Sequence, residues 1–235
     1  FDWYYTKEKK EFSIASSYIK TTDTVLEVGA GDGNFAGKIN CASYCGLELN
    51  KEAITAAAAK NITLLFETVE QHAVSHAGTY DVVCAFQVLE HISDIKSFVT
   101  QCIACLKPGG LLLFSVPSYE SFYTLSSNQR LNLPPHHCSW WSDAALRSIA
   151  TQFNLQFTAL HHEPADALHM QLIAHSVALT SLHAWLGRPL KAVDTSITYR
   201  LLSKLAGLLG KFLKPGVSHP HYQLRGMSVT AVYRK

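Results

Sequence analysis

The chain predicts a doubly wound α/β fold, with a mostly parallel sheet and a helical segment inserted late. Three observations predict it. Apolar runs of strand length alternate with helical patterns through the first half. The first run, Val25-Leu26-Glu27-Val28, breaks into Gly29-Ala30-Gly31-Asp32-Gly33, so a buried strand turns sharply with the turn stripped of side chains. Glycine takes a positive φ cheaply and lets a ligand approach the backbone. The third is Glu48, which ends the second run 17 residues after Gly31, about one helix and one strand further on. An acid there accepts hydrogen bonds from both hydroxyls of a ribose. The expected site is a nucleotide-type pocket at the carboxyl ends of the strands.

Composition narrows the class. At 235 residues the chain accommodates one sizeable domain and one insertion, and 48% hydrophobic residues support a real core. A net charge of +2 excludes a general nucleic-acid binder, which carries a basic stripe. Six cysteines are too few for a disulfide scaffold and read as reduced, mostly buried thiols. Cys102 and Cys105 form a C-x-x-C pair inside a helical pattern with no second pair, so no zinc site is expected there. No signal-peptide pattern is read, which with the reduced thiols points to a cytoplasmic protein.

The elements follow in order. Lys7 to Lys20 has a helical stripe of Phe12, Ile14, Ala15, Tyr18 and Ile19. The preceding Asp2-Trp3-Tyr4-Tyr5 either covers the mouth of the pocket or packs on the sheet edge. After the glycine turn a helix is expected from Asn34 to Asn40, its first N–H groups facing the ligand. Ser43 to Leu49 is the second strand, and Asn50 caps a helix reaching Lys60. Ile62 to Phe66 and Tyr80 to Phe86 are the third and fourth strands. Leu106-Lys107-Pro108-Gly109-Gly110 ends the next helix, with Gly109 or Gly110 as its left-handed cap, and Leu111 to Val116 is the fifth strand.

The turn's spacing separates two cofactor classes. Dinucleotide sites read G-x-G-x-x-G, whereas Glu27-Val28-Gly29-Ala30-Gly31-Asp32-Gly33 reads E-x-G-x-G-x-G. That stretch resembles the first motif of the class I methyltransferases that use S-adenosylmethionine. A carboxylate suits a cofactor carrying an ammonium and a sulfonium, and would repel a pyrophosphate. Val88-Leu89-Glu90-His91 and Leu106-Lys107-Pro108-Gly109-Gly110 resemble later signatures of the same family, so the likeness covers about residues 22 to 118.

The resemblance implies a Rossmann-like, doubly wound, mostly parallel seven-stranded sheet with an antiparallel last strand and a helical insertion before it. It assigns residues 1–21 to an N-terminal helical segment, 22–162 and 225–235 to the cofactor domain, and 163–224 to the insertion. It places Glu27 and the Gly29, Ala30, Gly31, Asp32, Gly33 turn at the methionine part of S-adenosylmethionine, and Glu48 with Leu49 at the ribose. Thr68 and Val69 fall at adenine, where the family usually has an acid; either the Thr68 hydroxyl substitutes or Glu67 reaches in. Phe86 and Gln87 flank the methyl donor. His91 reads as a structural residue at a helix start, with a base as the alternative.

The second half is less regular. Pro117 to Pro135 is a loop or lid with several aromatics, followed by Pro134-Pro135-His136-His137-Cys138-Ser139-Trp140-Trp141. This resembles a stretch of a bacterial subgroup associated with modified cell-surface sugars. His137 or His136 is a candidate general base for a substrate hydroxyl; the other reading is a structural turn with packed tryptophans. Adjacent histidines are not expected to share one ion, so no metal is expected. Ser142 caps a helix to Phe153, Leu155 to His161 is the sixth strand and Gly226 to Arg234 the last.

Between them, Ala167 to Gly187 carries no Asp, Glu, Lys or Arg but is too polar to cross a bilayer, and its stripe Leu168, Leu172, Leu179, Leu182, Leu186 suits a lid helix. A second helix, from a cap at Asp194 to Leu213, has Ile197, Leu201, Leu202, Leu205, Leu208, Leu209, Phe212 and Leu213 on one face and Arg200, Lys204, Lys211 and Lys214 as its basic residues. Such a helix either packs on the protein or lies on an anionic membrane, which would make 194–214 a peripheral contact at the inner membrane face. The expected function is methyl transfer from S-adenosylmethionine to a small-molecule, sugar or lipid-linked acceptor entering between Pro117–Trp141 and the inserted helices. The alternatives are a non-catalytic cofactor-binding or membrane module and, against the glycine spacing, an NAD-type oxidoreductase.

Overall fold

A computed structural model describes residues 9–213 and 224–235. The aromatic stretch Asp2–Tyr5, the start of the first expected helix at Lys7, and Lys214 lie outside the described residues. The elements are α1 (Lys10–Ser16), β1 (Thr24–Val28), β2 (Ser43–Leu47), α2 (Lys51–Ala58), β3 (Leu64–Leu65), α3 (Val69–His76), β4 (Tyr80–Phe86), α4 (Ile95–Cys105), β5 (Leu106–Pro117), α5 (Asp143–Gln152), β6 (Gln156–Pro164), α6 (Ala167–Trp185), α7 (Ile197–Gly210) and β7 (Arg225–Arg234).

The strands form one seven-stranded sheet in the order β3-β2-β1-β4-β5-β7-β6. β1 to β5 pair in parallel, with Glu27 opposite Gly46 on one side and Cys84 on the other. β7 runs antiparallel to β5: the Gly109 N–H donates to the Lys235 carbonyl at 3.1 Å, and the Ser118 N–H donates to the Met227 carbonyl at 2.8 Å. The start of one strand therefore meets the end of the other. β1 and β4 are buried on both faces, as their near-continuous apolar runs require.

Contacts divide the chain into two units. The sheet unit is Phe1–Val116, Ala144–His161 and Val229–Lys235. Its core gathers Val25, Phe35, Val82, Cys84, Phe86, Leu113 and Val232 under Phe12 of α1. The helical unit is Pro117–Asp143 and His162–Ser228. Here α6 packs on α7 through Ala178, Leu179 and Ala206, flanked by Leu182, Tyr199 and Leu202. The Ser127 hydroxyl donates to the Lys191 carbonyl at 2.6 Å, and the Asn128 amide donates to the Asp194 carbonyl at 2.9 Å, tying the loop after β5 to the α6–α7 connection. That loop, expected as part of the cofactor domain, groups with the inserted helices.

Several local expectations are corrected. The helix expected over Asn34–Asn40 is a single 3-10 turn, Ala36–Lys38; Gly33 and Gly37 leave too few helix-favouring residues to extend it. Helix α4 stops at Cys105 and Leu106 is already extended, so Gly109, at φ 78°, bends a strand rather than capping a helix. The α7 cap is Ser196, whose hydroxyl accepts from the Tyr199 N–H, and not Asp194, whose carboxylate holds the Ser196 N–H. On α6, Leu168, Leu172 and Leu186 are exposed; the buried face is Ile173, Ala174, Ala178 and Leu179 with His169, Ser176 and His183. The free thiols divide into buried Cys84, Cys102 and Cys105, half-buried Cys41 and Cys45, and exposed Cys138.

Candidate functional site

The glycine turn leaves β1 with Gly29, Gly31 and Gly33 all left-handed, at φ 75°, 56° and 77°. Their roles differ. A side chain on Gly29 would meet Val88 at 2.4 Å and one on Gly33 would meet Ile62 at 2.9 Å, whereas one on Gly31 would meet nothing within 4 Å. The first and third glycines permit packing; the second keeps open room beside the turn. The turn is fixed from two sides. The Gly29 and Ala30 N–H groups both donate to the Leu47 carbonyl at 2.9 Å. Lys60 bridges to the Asp32 carboxylate at 2.6 Å and to the Asn34 amide oxygen at 2.9 Å.

Glu48 closes the arrangement. One carboxylate oxygen accepts from the Gly31 N–H at 2.7 Å, and the other accepts from the Leu49 and Asn50 N–H groups at 2.8 Å each. Sequence spacing brings Glu48 to the turn, and the structure shows it bonded there. The Leu49 side chain points to solvent.

Glu27 is 2% exposed and accepts a hydrogen bond from the Tyr44 hydroxyl. Burial pushes its carboxyl up to about 8; the Tyr44 bond and Lys9 oppose that, while Glu11 and Glu48 add to it. A cation brought beside it would favour the charged carboxylate. Tyr44 is legible only through register: Val25 pairs with Tyr44 and Glu27 with Gly46, which puts Tyr44 within reach.

The other expected site residues have partners of their own. The Thr68 oxygen caps α3, accepting from the Gln71 N–H, and Glu67 is bonded to His72 Nδ1 at 3.0 Å, so both are engaged locally. Val69 is buried. The Phe86 ring packs against Phe12 at 5.0 Å and Phe35 at 4.8 Å. Gln87 takes φ 56°, unusual for a residue with a side chain, and its amide donates to Glu11 at 2.8 Å. The same Glu11 oxygen accepts from the Ser115 hydroxyl at 2.7 Å. This Glu11–Gln87–Ser115 cluster joins α1, the residue after β4, and β5, and no local pattern announces it. Glu90, also buried, is pushed up to about 8 by the same desolvation, with Glu11 adding to it.

In the helical unit, His137 Nδ1 donates to the Asn132 side-chain oxygen at 2.8 Å. The His136 and His137 rings lie nearly parallel, 5.2 Å apart. A ring nitrogen of each lies within 4.8 Å of one on the other, so the expectation that adjacent histidines cannot face one ion is corrected. The Trp140 indole N–H donates to the Asn132 carbonyl at 2.8 Å and its ring stacks on Tyr119. Trp140, Tyr119 and Tyr123 border a cavity that sequence reasoning located only as the gap between a loop and the inserted helices.

Glu27 beside an open glycine, with Glu48 bonded to that glycine, fits an adenosyl-amino acid: a carboxyl for a cationic group, room for the chain and an acceptor for ribose hydroxyls. Comparison with known proteins agrees. A family model described as methyltransferase domain matches residues 5–160. The ubiquinone biosynthesis O-methyltransferase of Vibrio parahaemolyticus is 32% identical over 162 residues, covering 60% of this chain and 68% of that protein. The protein of the same name from Escherichia fergusonii is 38% identical over 99 residues, covering 39% and 41%. Among solved structures, a SAM-dependent methyltransferase from Archaeoglobus fulgidus superposes with a TM-score of 0.60 at 15% identity, covering 96% of this chain and 92% of that one. The Haemonchus contortus phosphoethanolamine N-methyltransferase 2, solved with S-adenosylhomocysteine, gives 0.58 at 14% identity, covering 96% and 52%. The [4+2]-cyclase SpnF gives 0.59 at 13%, covering 96% and 80%, so the fold by itself does not fix the chemistry. The family match over residues 5–160 does: the chain belongs to the S-adenosylmethionine-dependent class I methyltransferases.

Proposed function

We propose that the protein transfers a methyl group from S-adenosylmethionine to a hydroxyl oxygen of a small-molecule acceptor held by the helical unit. The observation that carries the reading is the glycine turn bonded to Glu48 beside buried Glu27, in a chain similar to proteins named O-methyltransferases. The cofactor supplies an activated methyl on a sulfonium. Glu27 faces its ammonium group, the Gly29–Gly33 turn its amino-acid chain, Glu48 its ribose and Val69 its adenine. Gln87, fixed by Glu11, borders the sulfonium. Alignment of the acceptor oxygen with the methyl carbon supplies most of the acceleration.

His137 is the base in this reading, since Asn132 holds its proton on Nδ1. His137→Ala should lower kcat about 100-fold while leaving cofactor affinity unchanged, as expected for a lost general base. Equal loss of cofactor binding would instead make His137 a structural residue. The reading as a whole is tested by transfer of labelled methyl from S-adenosylmethionine to oxygen nucleophiles. A folded protein that binds the cofactor but methylates none of a broad panel of hydroxylated acceptors would move it to the non-catalytic alternative.

We also propose that α7 rests on an anionic lipid surface. Ile197, Leu201, Leu205, Leu208, Leu209 and Phe212 are exposed, and fall within about 120° of one helix face. Arg200, Lys204 and Lys211 flank that stripe, and α7 carries no acid. Among the described residues no helix is long and apolar enough to cross a membrane, so the contact would be peripheral. Leu201→Asp combined with Phe212→Ser should abolish co-sedimentation with phosphatidylglycerol vesicles at low salt. Unchanged sedimentation of that variant would remove the proposal.

A further inference from the structure

We propose that Tyr44 is a positioning residue of the cofactor site: its hydroxyl holds one oxygen of the Glu27 carboxyl, so that the other is presented to the ammonium of the cofactor's amino-acid end. This deepens the reading above and rests on it, since that reading puts Glu27 at the ammonium. The Tyr44 hydroxyl donates to Glu27 Oε2. Glu27 Oε1 has no hydrogen-bond partner among the described residues, and it keeps accessible surface. One oxygen is thus fixed while the other stays reachable. Burial and the neighbouring Glu27 push the Tyr44 phenol far up, so it keeps its proton and remains the donor.

The run Tyr44-Cys45-Gly46 makes this bond possible. Residues two apart on a strand share a face, and Gly46 stands directly opposite Glu27 in the β1–β2 pairing. The Tyr44 side chain therefore leans along β2, past Gly46, to reach Glu27. A side chain on Gly46 would meet the Tyr44 hydroxyl oxygen at 2.9 Å and the Ala30 side chain at 2.9 Å. The glycine clears the path of the hydroxyl. The ring itself is half-buried and packs against the sheet core and against the cluster of Ala30, Ala57 and Leu64. Ala30 belongs to the glycine turn, so one side chain ties β2 both to the turn and to the acid that precedes it. Packing fixes the ring without the hydroxyl, and a carboxyl already fixed has less freedom to lose when the ammonium arrives. Tyr44, Lys9, Glu11 and Glu48 face Glu27, with Cys84 opposite it on β4. Among the described residues Tyr44 is the one hydrogen-bonded to its carboxyl.

Titration calorimetry of the full chain tests this with S-adenosylhomocysteine and with methylthioadenosine, which keeps the adenosine and the thioether but lacks the amino-acid end. Tyr44→Phe keeps the ring and removes the hydroxyl. It should weaken S-adenosylhomocysteine about tenfold and methylthioadenosine less than about twofold. The pH profile separates positioning from folding. Burial pushes the Glu27 carboxyl up to about 8, and the Tyr44 bond opposes that. The preference of the parent for S-adenosylhomocysteine over methylthioadenosine should therefore rise from about pH 6 to about pH 8, and in Tyr44→Phe the rise should move to higher pH. Glu27→Gln should weaken S-adenosylhomocysteine and abolish the rise. Equal weakening of both ligands in Tyr44→Phe, or an unchanged pH profile, makes Tyr44 a residue of the fold alone and overturns the proposal. Should Tyr44→Phe fail to fold, Glu27→Gln decides, and an unchanged preference in that variant overturns the proposal as well. A folded parent that binds neither ligand removes the cofactor reading and this inference with it. A parent that binds both, with Tyr44→Phe indistinguishable from it, removes this inference alone.

Discussion

A carboxyl that is 2% exposed in the strand leading into a turn of glycines has one physical consequence that can be measured without knowing any acceptor. Glu27 and Glu90 are both pushed from 4.5 to about 8 by burial. The unfolded chain releases these protons near its ordinary value, whereas the fold keeps them. Their contribution to stability is therefore complete below about 4.5 and is lost progressively as pH rises towards about 8. Lys9, Glu11 and Glu48 face Glu27, and Glu11 faces Glu90. The denaturant midpoint should fall between pH 5 and pH 8, and Glu27→Gln should flatten that fall.

The three glycines give a second test at the residue scale. Gly33→Ala introduces both a strained φ and a contact with Ile62 at 2.9 Å, and should cost about 2–3 kcal/mol by chemical denaturation. Gly31→Ala meets no neighbour and should cost only about 1 kcal/mol, yet weaken cofactor binding more than the Gly33 variant does. Glu27, the glycines and Glu48 were legible in the sequence because strand, turn and spacing are local. Tyr44, Glu11 and Ser115 were not: Glu11 lies 76 and 104 residues from its partners Gln87 and Ser115, and only sheet assembly joins them.

At the scale of elements, strong local signals survived and weak ones gave way to tertiary structure. Tyr80–Phe86 and the start of α6 were read to the residue, and Asn50 caps α2 as expected, its side chain accepting from the Glu52 and Ala53 N–H groups. Asn50→Ala should lower stability by about 1 kcal/mol. The helix after the glycine turn failed because two glycines in so short a segment outweigh one apolar periodicity. The helical stripe of the last helix was correctly found, but its use was not readable. Leu202, Tyr199 and Leu213 pack with Ala206 around α6, while the six residues from Ile197 to Phe212 stay exposed. Periodicity identifies an apolar arc and is silent on which part of it is covered. Leu179, buried where α6 meets α7, should cost about 2–4 kcal/mol on replacement by Ala.

At the scale of the whole molecule, the sheet unit carries the glycine turn with Glu27 and Glu48, and the helical unit carries the cavity bordered by Tyr119, Tyr123 and Trp140. The first was legible almost entirely, since a parallel sheet written as buried runs with glycine turns has few alternatives. The second was not, because loop 117–143 joins the inserted helices through bonds such as Asn128 to Asp194, which no periodicity encodes. The most direct test of the account is a calorimetric titration of S-adenosylhomocysteine into the protein and its Glu48→Ala and Gly31→Ala variants. Binding to the parent with at least about tenfold loss in both variants, each still folded by its unfolding midpoint, is the predicted result. Absence of binding to the folded parent, or equal affinity in all three, would contradict it.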